Sequence, residues 1–260
     1  MGKTSFIKRV INRTPLKRMR QKNIFRFKQF TIDQTHAAQK VGTDSDLLGA
    51  LGAGGNTILD IGTGTGVLAL MMAQRFPEAR ITAVEIDDDA VIDAQQNFAS
   101  SPFAERITLV HSSFQDFCAS KLPAIIDSDS TFSAIICNPP YFDKSLESNN
   151  ISRTRARHTS SLPFRTLISG AYTLLAHGGT FSVCIPPEVL TEFSAECLIT
   201  GFMLQDCYRI KSVPEHDAKR YILVYKKGNV DTVREYEYCM RNSDRTYSEW
   251  YHTLMRDFLL

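Results

Sequence analysis

Nine consecutive residues, Ile58-Leu59-Asp60-Ile61-Gly62-Thr63-Gly64-Thr65-Gly66, limit what this chain can fold into more than any other stretch. Ile58, Leu59 and Ile61 belong to an apolar run of the kind found in a strand covered on both faces. The glycines let the backbone turn sharply and come nearer to a ligand than any Cβ would permit. Beyond them, Val67 to Phe76 has apolar residues at helical spacing and ends at Pro77, which predicts a helix whose N-terminus faces the same ligand. A second strand, Ile81 to Val84, then delivers Glu85, about twenty residues after the glycines, where a carboxylate can accept both hydroxyls of a ribose. A nucleotide-like cofactor fits this unit. Two other readings compete: a turn that merely joins strand to helix, and a dinucleotide-dependent oxidoreductase, since Gly64-Thr65-Gly66-Val67-Leu68-Ala69 matches the looser dinucleotide pattern.

Asn138-Pro139-Pro140-Tyr141, after the apolar run Phe132 to Cys137, weighs against the oxidoreductase, because hydride transfer has no use for it. An exocyclic amine on an aromatic base is a poor nucleophile, its lone pair being delocalised into the ring. The Asn138 side-chain carbonyl and the Pro139 backbone carbonyl can each accept one N–H of such an amine, localising the pair and aiming it. The prolines stiffen this tip by fixing their own φ and restricting the residue before them. Tyr141, with Phe142 beside it, offers a flat face for an extruded base. The competing reading is a plain turn after a strand.

At 260 residues and 43% hydrophobic content, the chain can bury one enlarged α/β core. Charge is unevenly spread. Met1 to Ile32 holds ten of the 30 Lys and Arg and none of the 28 Asp and Glu, so a basic arm (residues 1–24) precedes an acidic body (residues 25–260). Lys17, Arg18, Arg20 and Lys22 in the arm suit nucleic-acid phosphates, with Phe25, Phe27 and Phe30 as stacking or packing groups; a solvated tail and an organelle transit peptide are the alternatives. A second basic cluster, Arg153, Arg155 and Arg157, follows the amine tip and is the other expected phosphate site, against the reading of a solvated face. Cys118, Cys137, Cys184, Cys197, Cys207 and Cys239 show no metal-ligand spacing and read as reduced structural thiols, with no metal expected. No run has the length of a membrane span, so no membrane partner is expected and the location reads as cytoplasmic. The aromatic group Tyr236, Tyr238, Tyr247, Trp250 and Tyr251 reads as packing for the closing elements.

Strands are predicted near 57 to 61, 81 to 85, 107 to 110, 132 to 137, 180 to 185, 203 to 211 and 220 to 226, with helices between most of them and the last two strands antiparallel. This order resembles the Rossmann-like, seven-stranded, mostly parallel sheet of class I S-adenosylmethionine-dependent methyltransferases with its C-terminal antiparallel hairpin. The glycine turn resembles the first motif of that class. The resemblance implies S-adenosylmethionine as cofactor, with Asp60 toward its methionine end, Gly62, Gly64 and Gly66 around it and Glu85 on its ribose. Phe114 and Asp116, after the third strand, are placed at its adenine, although Ser113 stands where many relatives carry an acid and Asp116 has helix capping as its other role. Thr43 and Asp44 are candidates for the methionine portion, or else the N-cap of a helix over Ser45 to Leu51.

The Asn-Pro-Pro-Tyr tip resembles the signature of methyltransferases acting on planar amino groups. Phe25-Arg26-Phe27-Lys28-Gln29-Phe30, Lys40-Val41-Gly42-Thr43-Asp44, Leu48-Gly49-Ala50, Arg153 with Ala156-Arg157, and Tyr247-Ser248-Glu249 narrow this to a likeness with the bacterial tRNA(Val) adenine-N6 methyltransferases. That family methylates the adenine beside the anticodon. The likeness implies a tRNA partner and no obligatory protein partner. It runs from about Phe25 to the C-terminus; the arm is longer than the family needs. A protein-glutamine methyltransferase is disfavoured because such enzymes carry an N-terminal helical domain that a short arm cannot supply. A non-catalytic RNA-binding module is disfavoured by the intact glycine turn and Asn138.

Overall fold

A computed structural model of the chain describes residues 23–127, 131–139 and 162–259. The calls on Lys17, Arg18, Arg20, Lys22, Tyr141, Arg153, Arg155 and Arg157 lie outside the described residues.

The seven predicted strands all form. They are β3 (Thr57–Ile61), β4 (Arg80–Glu85), β5 (Ile107–His111), β6 (Phe132–Cys137), β7 (Leu175–Ile185), β8 (Phe202–Lys211) and β9 (Ala218–Lys227). An eighth, β10 (Arg234–Cys239), joins at one edge, giving the order β10-β8-β9-β7-β6-β3-β4-β5. Pairs from β7 through β6, β3, β4 and β5 are parallel, β9 is antiparallel to both β7 and β8, and β10 runs parallel to β8. A separate hairpin pairs β1 (Ile24–Arg26) with β2 (Thr31–Asp33).

Successive residues of the central strands enter opposite faces, and both faces are covered. Ile58, Ile81 and Ile136 pack with α1 (Thr43–Leu51), α2 (Val67–Arg75) and α3 (Asp88–Ala99), while Leu59, Val84 and Ile135 pack with α4 (Phe114–Asp127), α5 (Phe164–Leu174) and α6 (Leu190–Thr200). This is why those strands read as unbroken apolar runs. A short α7 (Glu249–Met255) closes the first face through Tyr251 and Met255.

The termini of the described chain are clasped together. Phe27 bridges to Leu259, the Lys28 N–H donates to the Phe258 carbonyl at 2.8 Å, and Phe27 stacks on Phe30 with centroids 4.4 Å apart. Phe27 and Phe30 are buried, which settles their role as packing groups rather than base-stacking ones. The C-terminal aromatics also pack: Tyr208, Tyr236, Tyr238 and Trp250 stack in sequence at 4.7, 6.2 and 4.4 Å.

The topology fixes where a ligand can bind. From β3 the chain moves outward to β4 and β5, then returns to lay β6 on the other side of β3. Ligands of open α/β sheets bind at the carboxyl ends of the strands flanking such a switch point. The glycine turn follows β3 there, and Asn138 follows β6.

Candidate active site

The turn after β3 is made from left-handed glycines. Gly62, Gly64 and Gly66 have φ of 69°, 57° and 86°, which side-chain-bearing residues adopt at a cost. A Cβ at Gly62 or Gly64 would meet nothing within 4 Å, whereas one at Gly66 would lie 2.4 Å from the Phe98 ring. Gly66 is thus required by the packing of α3, while the other two leave open space before the backbone. That space is a cradle side chains would fill.

Asp60 is fully buried beneath the turn. Its Oδ2 accepts from Thr63 Oγ1 at 2.6 Å and from the Ala69 N–H at 3.1 Å, while Oδ1 has no partner among the described residues. Burial pushes its carboxyl up to about 7. A buried carboxylate oxygen without a partner among the described residues, beside this cradle, fits the cationic ammonium of an amino-acid-bearing cofactor.

Glu85 ends β4 and is held by three backbone amides. Gly64 donates to Oε2 at 2.8 Å, and Ile86 and Asp87 donate to Oε1 at 2.9 Å each. A carboxylate has about four acceptor positions, so about one is left for a ligand hydroxyl. Bidentate grasp of a ribose therefore requires the Gly64 amide to yield, a constraint absent from the sequence.

Asn138 sits opposite. Its amide Nδ2 donates to Ser45 Oγ on α1 at 3.3 Å, and its Oδ1 is buried with no partner among the described residues. The Ser45 contact fixes which end of the amide faces α1, leaving the acceptor free. Pro139 is buried behind it.

The other predicted residues are distributed less simply. Helix α1 begins at Thr43 with Gly42 as its N-cap, without a side-chain cap, so Thr43 and Asp44 do not cap it. Thr43 is exposed, and Asp44 pairs with Arg220 of β9. Ser113 and Asp116 form a reciprocal cap at the start of α4: the Asp116 N–H donates to Ser113 Oγ at 3.0 Å and that hydroxyl donates to Asp116 Oδ2 at 2.7 Å. Phe114 is buried, and a Cβ on Gly170 of α5 would come within 2.6 Å of it. Phe114 thus packs in the α4–α5 core and Asp116 serves the helix start, and both stay proposals for the cofactor's adenine.

Two residues went unnoticed in the sequence. Ser45 shows no signal, because its role depends on α1 reaching β6. Asp46 is buried, its Oδ1 is unpartnered among the described residues, and burial with the nearby Asp44 charge raises its carboxyl to about 7; its place inside an amphipathic helix start looked like ordinary polar surface. All six cysteines are free, and burial raises the Cys137 thiol next to the site well above its usual range, which removes it as a nucleophile. Among the described residues no acid, His or Cys cluster has metal-site geometry, and no helix is long and apolar enough to cross a membrane.

Residues 35–187 match the family model of the methyltransferase small domain. The tRNA1(Val) (adenine(37)-N6)-methyltransferase of Pseudoalteromonas translucida is 39% identical over 91% of this chain and 98% of its own length, and that of Phocaeicola vulgatus 41% identical over 91% and 97%. The chain belongs to the tRNA1(Val) (adenine(37)-N6)-methyltransferase family. It is accordingly an S-adenosylmethionine-dependent methyltransferase, as the glycine turn and amine tip led one to expect. A predicted O-methyltransferase of Agrobacterium tumefaciens shares the fold, with a TM-score of 0.63 at 21% identity over 83% of this chain and 96% of that one. In this chain Asp60 on β3 and Asn138 just after the neighbouring β6 each keep one buried oxygen without a partner among the described residues.

Proposed function

We propose that this chain methylates the N6 amine of an adenine in tRNA, the adenine beside the anticodon of a valine tRNA. The observation that carries the reading is the buried Asn138 Oδ1 at the switch point, without a partner among the described residues and oriented by Ser45. A bare acceptor buried in a methyltransferase crevice is costly unless a donor arrives with the substrate, and an exocyclic amine brings two.

S-adenosylmethionine, when bound, supplies an electrophilic methyl group. Asp60, Gly62, Gly64, Gly66 and Glu85 hold it, with Thr43 and Asp44 at the rim. Asn138 Oδ1 and the Pro139 carbonyl each accept one N–H of the target amine, drawing its nitrogen toward tetrahedral geometry and pointing the lone pair into the cradle. Tyr141 stacks on the adenine ring. No general base is needed, because the methylated amine is acidic enough to release a proton to water. Lys17, Arg18, Arg20 and Lys22 of the arm, and Arg153, Arg155 and Arg157 after the tip, hold tRNA phosphates; deleting residues 1–23 should lower tRNA affinity and flatten its salt slope by about 0.7 to 0.9 per lost contact. The enzyme works in the cytoplasm without an obligatory protein partner.

Mass spectrometry of tRNA nucleosides from cells with and without the gene tests the reading. Loss of N6-methyladenosine from one tRNA, restored by the wild-type gene and not by Asn138→Ala, is expected. Unchanged N6-methyladenosine in every tRNA would overturn it.

A further inference from the structure

The C-terminal part of the sheet carries a groove of about 440 Å³ lined by Ser212, Val213, His216, Lys219, Arg241 and Arg245. We propose that this groove binds the sugar-phosphate backbone of the RNA whose base enters the active site, an inference that rests on the tRNA reading above.

Location is the first argument. Strand β7 is parallel to β6, and its last residue, Ile185, pairs with Tyr221 near the start of β9. Ala218 pairs with Lys211, and Lys211 with Cys239. The β8–β9 turn and the exit of β10 therefore lie on the same edge of the sheet as Glu85 and Asn138. A chain of contacts joins them: Arg220, next to Lys219, pairs with Asp44 on α1, and the adjacent Ser45 holds Asn138. A base delivered to Asn138 stays tethered to phosphates on either side, which must pass close to this rim.

The groove is also preformed. Arg241 donates to the Arg245 carbonyl at 2.7 Å and lies 4.1 Å over the Tyr247 ring. Asn242 N–H donates to the Thr246 carbonyl, Arg245 N–H to the Asn242 carbonyl, and Asp244 Oδ1 accepts from both the Thr246 N–H and hydroxyl. Within this loop Arg245 has φ of 68°, the one left-handed non-glycine among the described residues. Asn or Gly would take that conformation more cheaply, and the turn sets the Arg245 side chain at the groove that it lines.

Charge is the third argument. The groove's own lining holds Lys219, Arg241 and Arg245 and no acid, while the carboxylates of the two loops, Glu215, Asp217 and Asp244, stand outside that lining, two of them turned to Ser243 and Thr246. The Arg241 guanidinium, held by the Arg245 carbonyl and the Tyr247 ring, with the Lys219 and Arg245 cations beside it, suits the closely spaced phosphate oxygens of an RNA backbone better than the dispersed carboxylates of a protein partner.

The test uses the full chain, purified tRNA substrate and the double variant Lys219→Gln/Arg245→Asn, in which Asn keeps the left-handed turn. Loss of two phosphate contacts should reduce the slope of log affinity against log salt by about 1.4 to 1.8. KM for tRNA should rise more than kcat falls, and S-adenosylmethionine affinity by calorimetry should not change. Arg245→Lys, which keeps the charge, should recover most of the slope. If the double variant fails to fold, Lys219→Gln alone, at an exposed strand position, should show half the slope change. Wild-type slope and KM in the variant would overturn the proposal while leaving the tRNA reading intact. So would loss of inorganic phosphate binding with tRNA binding unaltered, which would make the groove a free-anion site, or loss of an acidic protein partner alone. A wild-type protein that neither binds nor methylates tRNA would instead overturn the underlying reading.

Discussion

Glu85 and Asn138 end two strands of one sheet and are held in opposite ways. Three backbone amides grip the Glu85 carboxylate at 2.8 to 2.9 Å, whereas Asn138 has one contact of 3.3 Å and a buried oxygen with no partner among the described residues. At Glu85 the cofactor side is gripped by the chain's own backbone, although Asp60 Oδ1 beside it is left, like Asn138 Oδ1, without a partner among the described residues. The target side is left unsatisfied, so its interaction energy becomes available only when the amine arrives. This division suits methyl transfer, since polar groups matched to the reacting state, and not already matched to the protein, are the ones that lower the barrier.

The largest break in this contrast should come from Asn138→Ala. Single-turnover methyl transfer should fall by about a hundredfold or more, the usual loss for an aimed polar group, while S-adenosylmethionine affinity stays near wild type. Near-normal turnover would reduce the tip to a structural turn. At Glu85 the expected pattern is reversed: Glu85→Ala should weaken S-adenosylmethionine by about 1 to 3 kcal/mol. The same variant frees the Gly64, Ile86 and Asp87 amides, so the cofactor-free protein should also melt lower. Calorimetry showing unaltered affinity, or tight NAD binding by the wild type, would remove Glu85 from the ribose.

How much of this was legible beforehand follows the same division. The glycine turn, Glu85 and the Asn138 tip could be read because each is a local pattern: apolar strand, special backbone, one polar group at a fixed offset. All seven strands of the expected sheet could be read for the same reason. The eighth could not, because Arg234 to Cys239 alternates charge and tyrosine, and it becomes a strand through long-range pairing with β8, supported by ion pairs such as Arg234–Asp206 and by stacking against Tyr208 and Trp250. Phe27 and Phe30, set among Lys and Arg, look alike whether they meet a base or the C-terminus. Phe114 follows a strand, as a cofactor-facing residue would, yet the glycine at position 170 invites it into the core. Ser45 and the groove of Lys219, Arg241 and Arg245 depend on contacts between residues far apart in sequence, which periodicity does not report.

Acidity offers a finer test of the cofactor side. Burial raises Asp60 and Asp46 to about 7, so the folded state holds protons that the unfolded chain releases near its ordinary carboxylate range. Their contribution to stability is complete below about pH 4 and is lost as pH rises to about 7. The cofactor-free protein should lose melting temperature across that window relative to an Asp46→Asn variant, whose amide does not titrate. For S-adenosylmethionine the sign is opposite, because its ammonium pairs with ionised Asp60. Affinity should rise about tenfold from pH 6 to pH 8 as that carboxyl ionises, measured by calorimetry at constant ionic strength. Affinity flat with pH would place the ammonium elsewhere.

The smallest expected effect is the most discriminating for how the target side is set. Ser45 Oγ is the only described partner of the Asn138 amide, so Ser45→Ala should permit the amide to flip and present N–H groups to the incoming amine. One neutral hydrogen bond is worth about 0.5 to 1.5 kcal/mol, which translates to a drop of about two- to tenfold in the methyl-transfer rate. The loss should appear in kcat and not in the KM for S-adenosylmethionine, and it should vanish in an Asn138→Ala background, where there is no amide left to orient. Multiplicative losses in the double variant would mean that Ser45 supports α1 and does not act through Asn138. Asn138→Asp adds a second check: both its ends are acceptors, so removing the Ser45 hydroxyl beneath it should leave amine orientation unaffected.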